Sequence, residues 1–226
     1  VAEPRSVPPR DRRGIAHSAA AGLLALILLA GSALSGGVGA GLQGLFASAL
    51  LTSAALLCIA WALVARSSAP ARSLQLTPAR RPLSGPGLAL AAAGMLALSH
   101  LLDLCLRMSG VREASVLSRV DALLLGASGG ELLLAVLALA LAPALSEEIL
   151  FRGVILGRLR EFLGAPKGLL LSAILFGALH MDPAQGTAAA GLGVYLGALT
   201  LRTGSIHAAL LCHGLNNLVA VLTASF

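Results

Sequence analysis

Residues 132–152 read LLLAVLALALAPALSEEILFR, and the fold turns on where that run places its charges. Residues 132–145 are nearly all Leu, Ala and Val, and Glu147, Glu148 and Arg152 follow directly. Ionisable groups carried on a membrane helix are candidate functional groups, because charge is expensive there. Helical phasing sorts them. Glu148 and Arg152 are four apart, share a face and can pair. Glu147 points about 100° away, leaving its carboxylate free for another partner. Pro143 has no N–H to donate and crowds the carbonyl of Leu139, which predicts a kink before the acidic pair. A kink with a freed carbonyl suits a wet cavity.

The whole chain shares this character. Its 226 residues are 57% hydrophobic and 12% charged, with mean hydropathy +0.89, whereas soluble domains carry about 25% charged residues. An all-α polytopic membrane protein is expected. The net charge is +6, but the basic residues fall in short patches between apolar runs, which reads as a topology signal and argues against nucleic-acid binding. Cys58, Cys105 and Cys212 sit inside apolar spans without paired or metal-type spacing and read as small core residues.

In chain order, residues 1–14 form a Pro- and Arg-rich tail with the composition of a disordered segment. Residues 15–34 and 42–65 are each long enough to cross a hydrocarbon core of roughly 30 Å. The first runs long for a cleavable signal and no polar mature domain follows it. Residues 67–87 are a Pro- and Arg-rich linker, the one credible boundary inside the chain. A third span, 88–106, carries His100 and Asp103, whose three-residue spacing predicts a mutually satisfied polar pair or a water-lining one. A mixed-charge loop, 107–131, holds a short amphipathic stretch at 116–125. The acidic span follows, then 168–181 ending in Phe176-Gly177-Ala178-Leu179-His180, then a Gly-rich span at 184–201, then 205–223 with His207, His213, Asn216 and Asn217. That makes about seven transmembrane helices, or eight if 116–125 also enters the bilayer. The organisation expected is a basic tail (1–14), a two-helix membrane hairpin (15–66), a cytoplasmic linker (67–87), a third span with its outer loop (88–131) and a catalytic membrane region (132–226).

With the N-terminus in the cytoplasm, seven crossings put 13 of the 16 Lys and Arg inside and Arg107, Arg112 and Arg119 outside. The positive-inside rule favours that orientation. At 1.5 Å per residue, Glu147 lies roughly 7 to 8 Å inward of Arg152, His213 roughly 12 Å from Ser205, and His180 up to roughly 20 Å from Lys167. Tilt and a snorkelling Lys167 bring His180 shallower, so the three can share a cavity that faces the cytoplasm. Asn217, one turn from His213, enters with it. A carboxylate and an imidazole can hold and deprotonate water, and a second imidazole with an amide can donate to an oxyanion. That set is sufficient to hydrolyse an amide.

Glu147-Glu148-x-x-x-Arg152, Phe176-x-x-x-His180 and His213-x-x-x-Asn217, in this order on separate apolar helices, resemble the three motifs of the CAAX-protease and bacteriocin-processing family. The family includes the Ras-converting enzyme and lysostaphin resistance protein A-like proteins. The resemblance covers about 132–220 and extends to Arg202-Thr203-Gly204-Ser205-Ile206, although His207 stands where the family commonly has a large apolar residue. It implies a membrane-embedded endopeptidase in which Glu147 activates water with the help of His180, His213 and Asn217 stabilise the oxyanion, and Glu148 and Arg152 hold the motif's shape. The family has been called a metalloprotease group, and Glu147, His180 and His213 are adequate zinc ligands. No H-E-x-x-H occurs, however, so a metal-free mechanism with no required cofactor is expected. Two other classes of function use the same residues: a non-catalytic scaffold or bacteriocin self-immunity protein, and a small ion-coupled transporter with the glutamates as its cation site. The partners expected are the bilayer and a peptide or membrane-protein substrate. The Ala-, Leu- and Arg-rich composition points to a high-GC bacterial source and a multi-pass cell-membrane protein.

Overall fold

A computed structural model describes residues 41–65, 67 and 69–226, and every described segment of regular structure is helical. The basic tail, the first expected span and Arg66 lie outside the described residues. The helices are α1 (Gly41–Val64), α2 (Pro70–Ser73), α3 (Gly85–Met108), α4 (Val116–Leu124), α5 (Gly129–Leu163), α6 (Ala165–Leu179), α7 (Pro183–Thr203) and α8 (His207–Ser225). Four of them, α1, α3, α5 and α8, are long and apolar enough to cross a membrane. With 15 residues, α6 rises only about 22 Å, short of a full hydrocarbon core. Outward faces carry bare leucines, among them Leu90 at 74% and Leu51 at 68% exposure. Contiguous surface of that kind is a liability in water and the proper coat in lipid. The protein is a multi-pass membrane protein.

The charge-bearing helix α5 is the hub, with α1, α6 and α8 packed along it. It runs unbroken for 35 residues, and the feature expected at Pro143 takes a specific form. Two stretches, Val136–Leu141 and Glu148–Ile155, are wound as π-helix, one on each side of the Pro143 turn. At the end of the first, the Ala142 N–H reaches back five residues to the Leu137 carbonyl. A widened turn beside a residue that cannot donate lets the helix continue, and π-turns recur at functional sites.

Beneath the second π-turn lies a core of Leu56, Ala60 and Val64 from α1, Leu150, Phe151 and Val154 from α5, and Phe176 from α6, with Leu74 from the segment before α3. Two glycines set how closely backbones approach. A Cβ on Gly177 would stand 2.5 Å from the Gly186 carbonyl oxygen, which brings α6 and α7 into contact around the His180 turn. A Cβ on Gly153 would stand 2.7 Å from the Leu74 carbonyl oxygen.

The polar pair expected between His100 and Asp103 does not form. His100 is exposed, and Asp103 takes Arg107 and Arg112, the latter also holding Asp121 at 2.7 Å. Two guanidinium groups within reach take the one carboxylate. Asp182 ties this loop to the end of α6. Its carboxylate accepts from Gln185 N, capping α7, and from Ser115 Oγ and Val116 N at the start of α4. Burial pushes the Asp182 carboxyl up, but hydrogen bonds from Gln185, Val116, Ser115 and Ala184 outweigh it and hold the group below the usual carboxylate range. The stabilisation is therefore present above the ordinary Asp range and is lost as pH falls through the lowered value.

Candidate active site

Glu148 is sealed inside the protein and has its partners on both sides. Its Oε1 accepts from Arg152 Nη1 at 2.7 Å, with the two side chains 0% and 2% exposed, and from His213 Nδ1 at 2.8 Å. The first contact is the same-face pairing expected from the four-residue spacing. The second places a proton on Nδ1, since a carboxylate oxygen only accepts. Breaking a buried pair of this kind leaves an uncompensated charge.

Glu147 is held differently. Its side chain is 13% exposed, and His213 Nε2 lies 3.7 Å from its Oε2. That is too long for a direct hydrogen bond and lets one water beside the two atoms reach both. One imidazole thus reads both glutamates, bonded to Glu148 through Nδ1 and facing Glu147 through Nε2.

His180 caps the C-terminus of α6. Its Nδ1 lies 3.0 Å from the Phe176 carbonyl, an acceptor, so the proton sits on Nδ1 and Nε2 presents a lone pair in the neutral ring. Met181 follows with φ of 53°, a left-handed turn that swings the chain into α7. A cavity of about 520 Å³ opens at this turn, lined in part by Gly177, Met181, Asp182 and Pro183.

The structure therefore brings Glu147, Glu148, Arg152 and His213 into one cluster and joins His180 to it through Phe176. The Phe176 ring packs edge-on to His180 and to His213, with centroids 5.2 and 6.0 Å apart, and the Arg152 guanidinium carbon lies 4.2 Å from its centroid. Phe151 completes the group at 5.1 Å. A desolvated cation over an aromatic face contributes up to about 2 kcal/mol. Sequence reasoning quoted Phe176 as part of a motif and gave it no role. The signal was its four-residue spacing from His180, which puts both on one face.

Asn217 stands one turn beyond His213 and hydrogen-bonds to neither glutamate. Its Oδ1 faces Asn216 Nδ2 at 3.5 Å, which leaves its own amide N–H group uncommitted among the described residues. Gln75 was also missed. It lies outside every motif, yet its side chain reaches the carbonyls of Arg152 and Gly153.

The zinc candidates do not assemble into a ligand set. Among the described residues no group of three His, Cys, Asp or Glu is arranged to hold a metal ion, and a catalytic zinc needs three protein ligands. Glu148 Oε1, the carboxylate oxygen nearest His213, is already taken by Arg152.

Residues 129–219 match the family described as type II CAAX prenyl endopeptidase Rce1-like. No curated protein and no solved structure matches the chain. The match runs from the start of α5 into α8 and takes in all three motifs, so the segment that builds the site is similar to the Rce1-like type II CAAX prenyl endopeptidases, a family of proteases.

Proposed function

We propose that the protein is a membrane-embedded endopeptidase in which Glu147 activates water for attack on a peptide bond near a substrate terminus. The supporting observation is the division between adjacent glutamates: Glu148 is sealed, its Oε1 taken by both Arg152 and His213, while Glu147 is partly open and faces an imidazole nitrogen across 3.7 Å. Water held by Glu147 and by the free Nε2 of His180 gives a proton to Glu147 as its oxygen bonds to the carbonyl carbon. Oxyanion stabilisation comes from Asn217 Nδ2–H and from His213 Nε2–H, the second requiring the doubly protonated imidazolium, with Nδ1–H on Glu148 and Nε2–H on the oxyanion. The proton on Glu147 then passes to the leaving amine as the C–N bond breaks. No step uses a metal.

The reading makes opposite demands on His213 and on a zinc centre, which gives a test. Activity of the purified protein is expected to survive chelation. His213→Ala and Asn217→Ala are each expected to lose about 3 to 4 kcal/mol of transition-state stabilisation, and the double variant to fall well short of additive because both donors serve one charge. Stoichiometric zinc lost together with activity on chelation, and both restored by added metal, would refute it.

The substrate proposed is a peptide or membrane-protein terminus reaching the site from the cytoplasm, and the orientation proposed is N-terminus inside with seven crossings. In a cysteine-free background, cysteines at exposed Ala71 and exposed Ser109 report the two sides. An impermeant external reagent should label Ser109→Cys and spare Ala71→Cys. Equal labelling of both sinks the orientation.

A further inference from the structure

The segment between α1 and α3, expected as a linker, enters the site cluster from outside the family-matched region. Its reach depends on the π-turn of α5. At the end of Glu148–Ile155 the Leu156 N–H bonds back five residues to Phe151 O, passing over the Arg152 carbonyl that an α-helical turn would have given it. A buried carbonyl so released needs another donor. Gln75 supplies it: Nε2 lies 2.7 Å from Arg152 O and 3.4 Å from Gly153 O.

The same residue holds the helix that carries His213. The backbone carbonyl of Gln75 accepts from Ile206 N and from Ser205 Oγ, each at 3.2 Å, immediately before α8 begins. Gln75 thus touches both site helices, α5 through its side chain and the approach to α8 through its main chain. The conformation that permits this is strained. Gln75 has φ of 53° without being glycine, which costs on the order of 1 to 3 kcal/mol and persists only where surroundings over-determine it. The surroundings here are Leu74, buried against Leu150, Phe151, Val154 and Phe176, and Gly153, where any Cβ would meet the Leu74 carbonyl.

We propose that Gln75 is a positioning residue of the site: by taking the Arg152 carbonyl and holding the start of α8, it sets the distance between Glu148 and His213 and hence the aim of His213 Nε2 at Glu147. Its effect on turnover rests on the peptidase reading above; its effect on the geometry does not.

Two variants of the full chain in lipid nanodiscs separate positioning from bulk stability. Gln75→Gly keeps the backbone contacts and relieves the strained φ; Gln75→Met keeps the length and removes the donor. For each, kcat and KM per folded molecule, the thermal midpoint and the ring-nitrogen NMR resonances of labelled His213 are measured. In Gln75→Gly the midpoint should hold or rise while kcat falls by on the order of tenfold or more with KM little changed, because small misplacements of reacting groups are heavily penalised. In both variants the His213 Nδ1 resonance should move from its carboxylate-bonded position toward that of free imidazole. If wild type cleaves no peptide, the peptidase reading fails and the resonance alone decides the positioning claim. A resonance unmoved in both variants overturns it, as does unchanged kcat in an active enzyme, and as does failure of both variants to fold.

Discussion

Glu147→Gln should lower turnover by a factor on the order of 10² to 10⁴ and leave the yield of folded protein unchanged. The carboxamide keeps the shape of the side chain and removes its ability to take a proton. Nothing in the packing opposes the change, since Glu147 is partly exposed and the His213 ring nitrogen facing it lies 3.7 Å away. Glu148→Gln is the informative contrast. It leaves Arg152 sealed without its full countercharge, so it should depress folded yield as well as rate. Equal yields, with Glu147→Gln active and Glu148→Gln inactive, would reverse the two assignments.

Arg152→Leu should cost about 3 to 5 kcal/mol, because it strands Glu148 as a buried charge. That is a large share of a stability of about 5 to 15 kcal/mol, and it also removes the cation from the Phe176 face. Loss of folded protein in the membrane fraction, read by detergent extraction and size exclusion, is the expected result. Replacing both members of the pair, Glu148→Met with Arg152→Met, should recover part of that yield, since a buried pair exchanged for apolar volume is often neutral. Activity should not return, because His213 Nδ1–H then has no carboxylate to hold it. A double variant no better folded than Arg152→Leu would show that the pair matters through something other than compensated charge.

The sequence carried the helical class and the Glu148–Arg152 pairing because both follow from periodicity, and a four-residue spacing survives a change of helical register well enough to pair. It carried the three motifs because their spacing is local to single helices. It did not carry the second contact of Glu148. From one strand of sequence His213 and Asn217 are simply four apart, and only packing shows that His213 turns Nδ1 to Glu148 while Asn217 hydrogen-bonds to neither glutamate. His100 and Asp103 failed for a related reason: their spacing permitted a contact, but Arg107 and Arg112 were within reach and carry charge. Pro143 announced an irregularity, not its form, and the π-turn that frees the Arg152 carbonyl lies beyond it. Gln75 was illegible for a different reason. It sits in a Pro- and Arg-rich stretch with linker composition, and its partners are 77 and 130 residues away in the chain.

The claim on which the rest depends is that this cluster hydrolyses peptide bonds. Purified full-length protein in lipid nanodiscs, incubated with a peptide library in H₂¹⁸O and followed by mass spectrometry, tests it directly. The account predicts new C-termini that each carry one heavy oxygen, formed by wild type and not by Glu147→Gln at equal folded concentration. Folded wild type that forms no new termini, or a Glu147→Gln variant that forms them as fast, would contradict it.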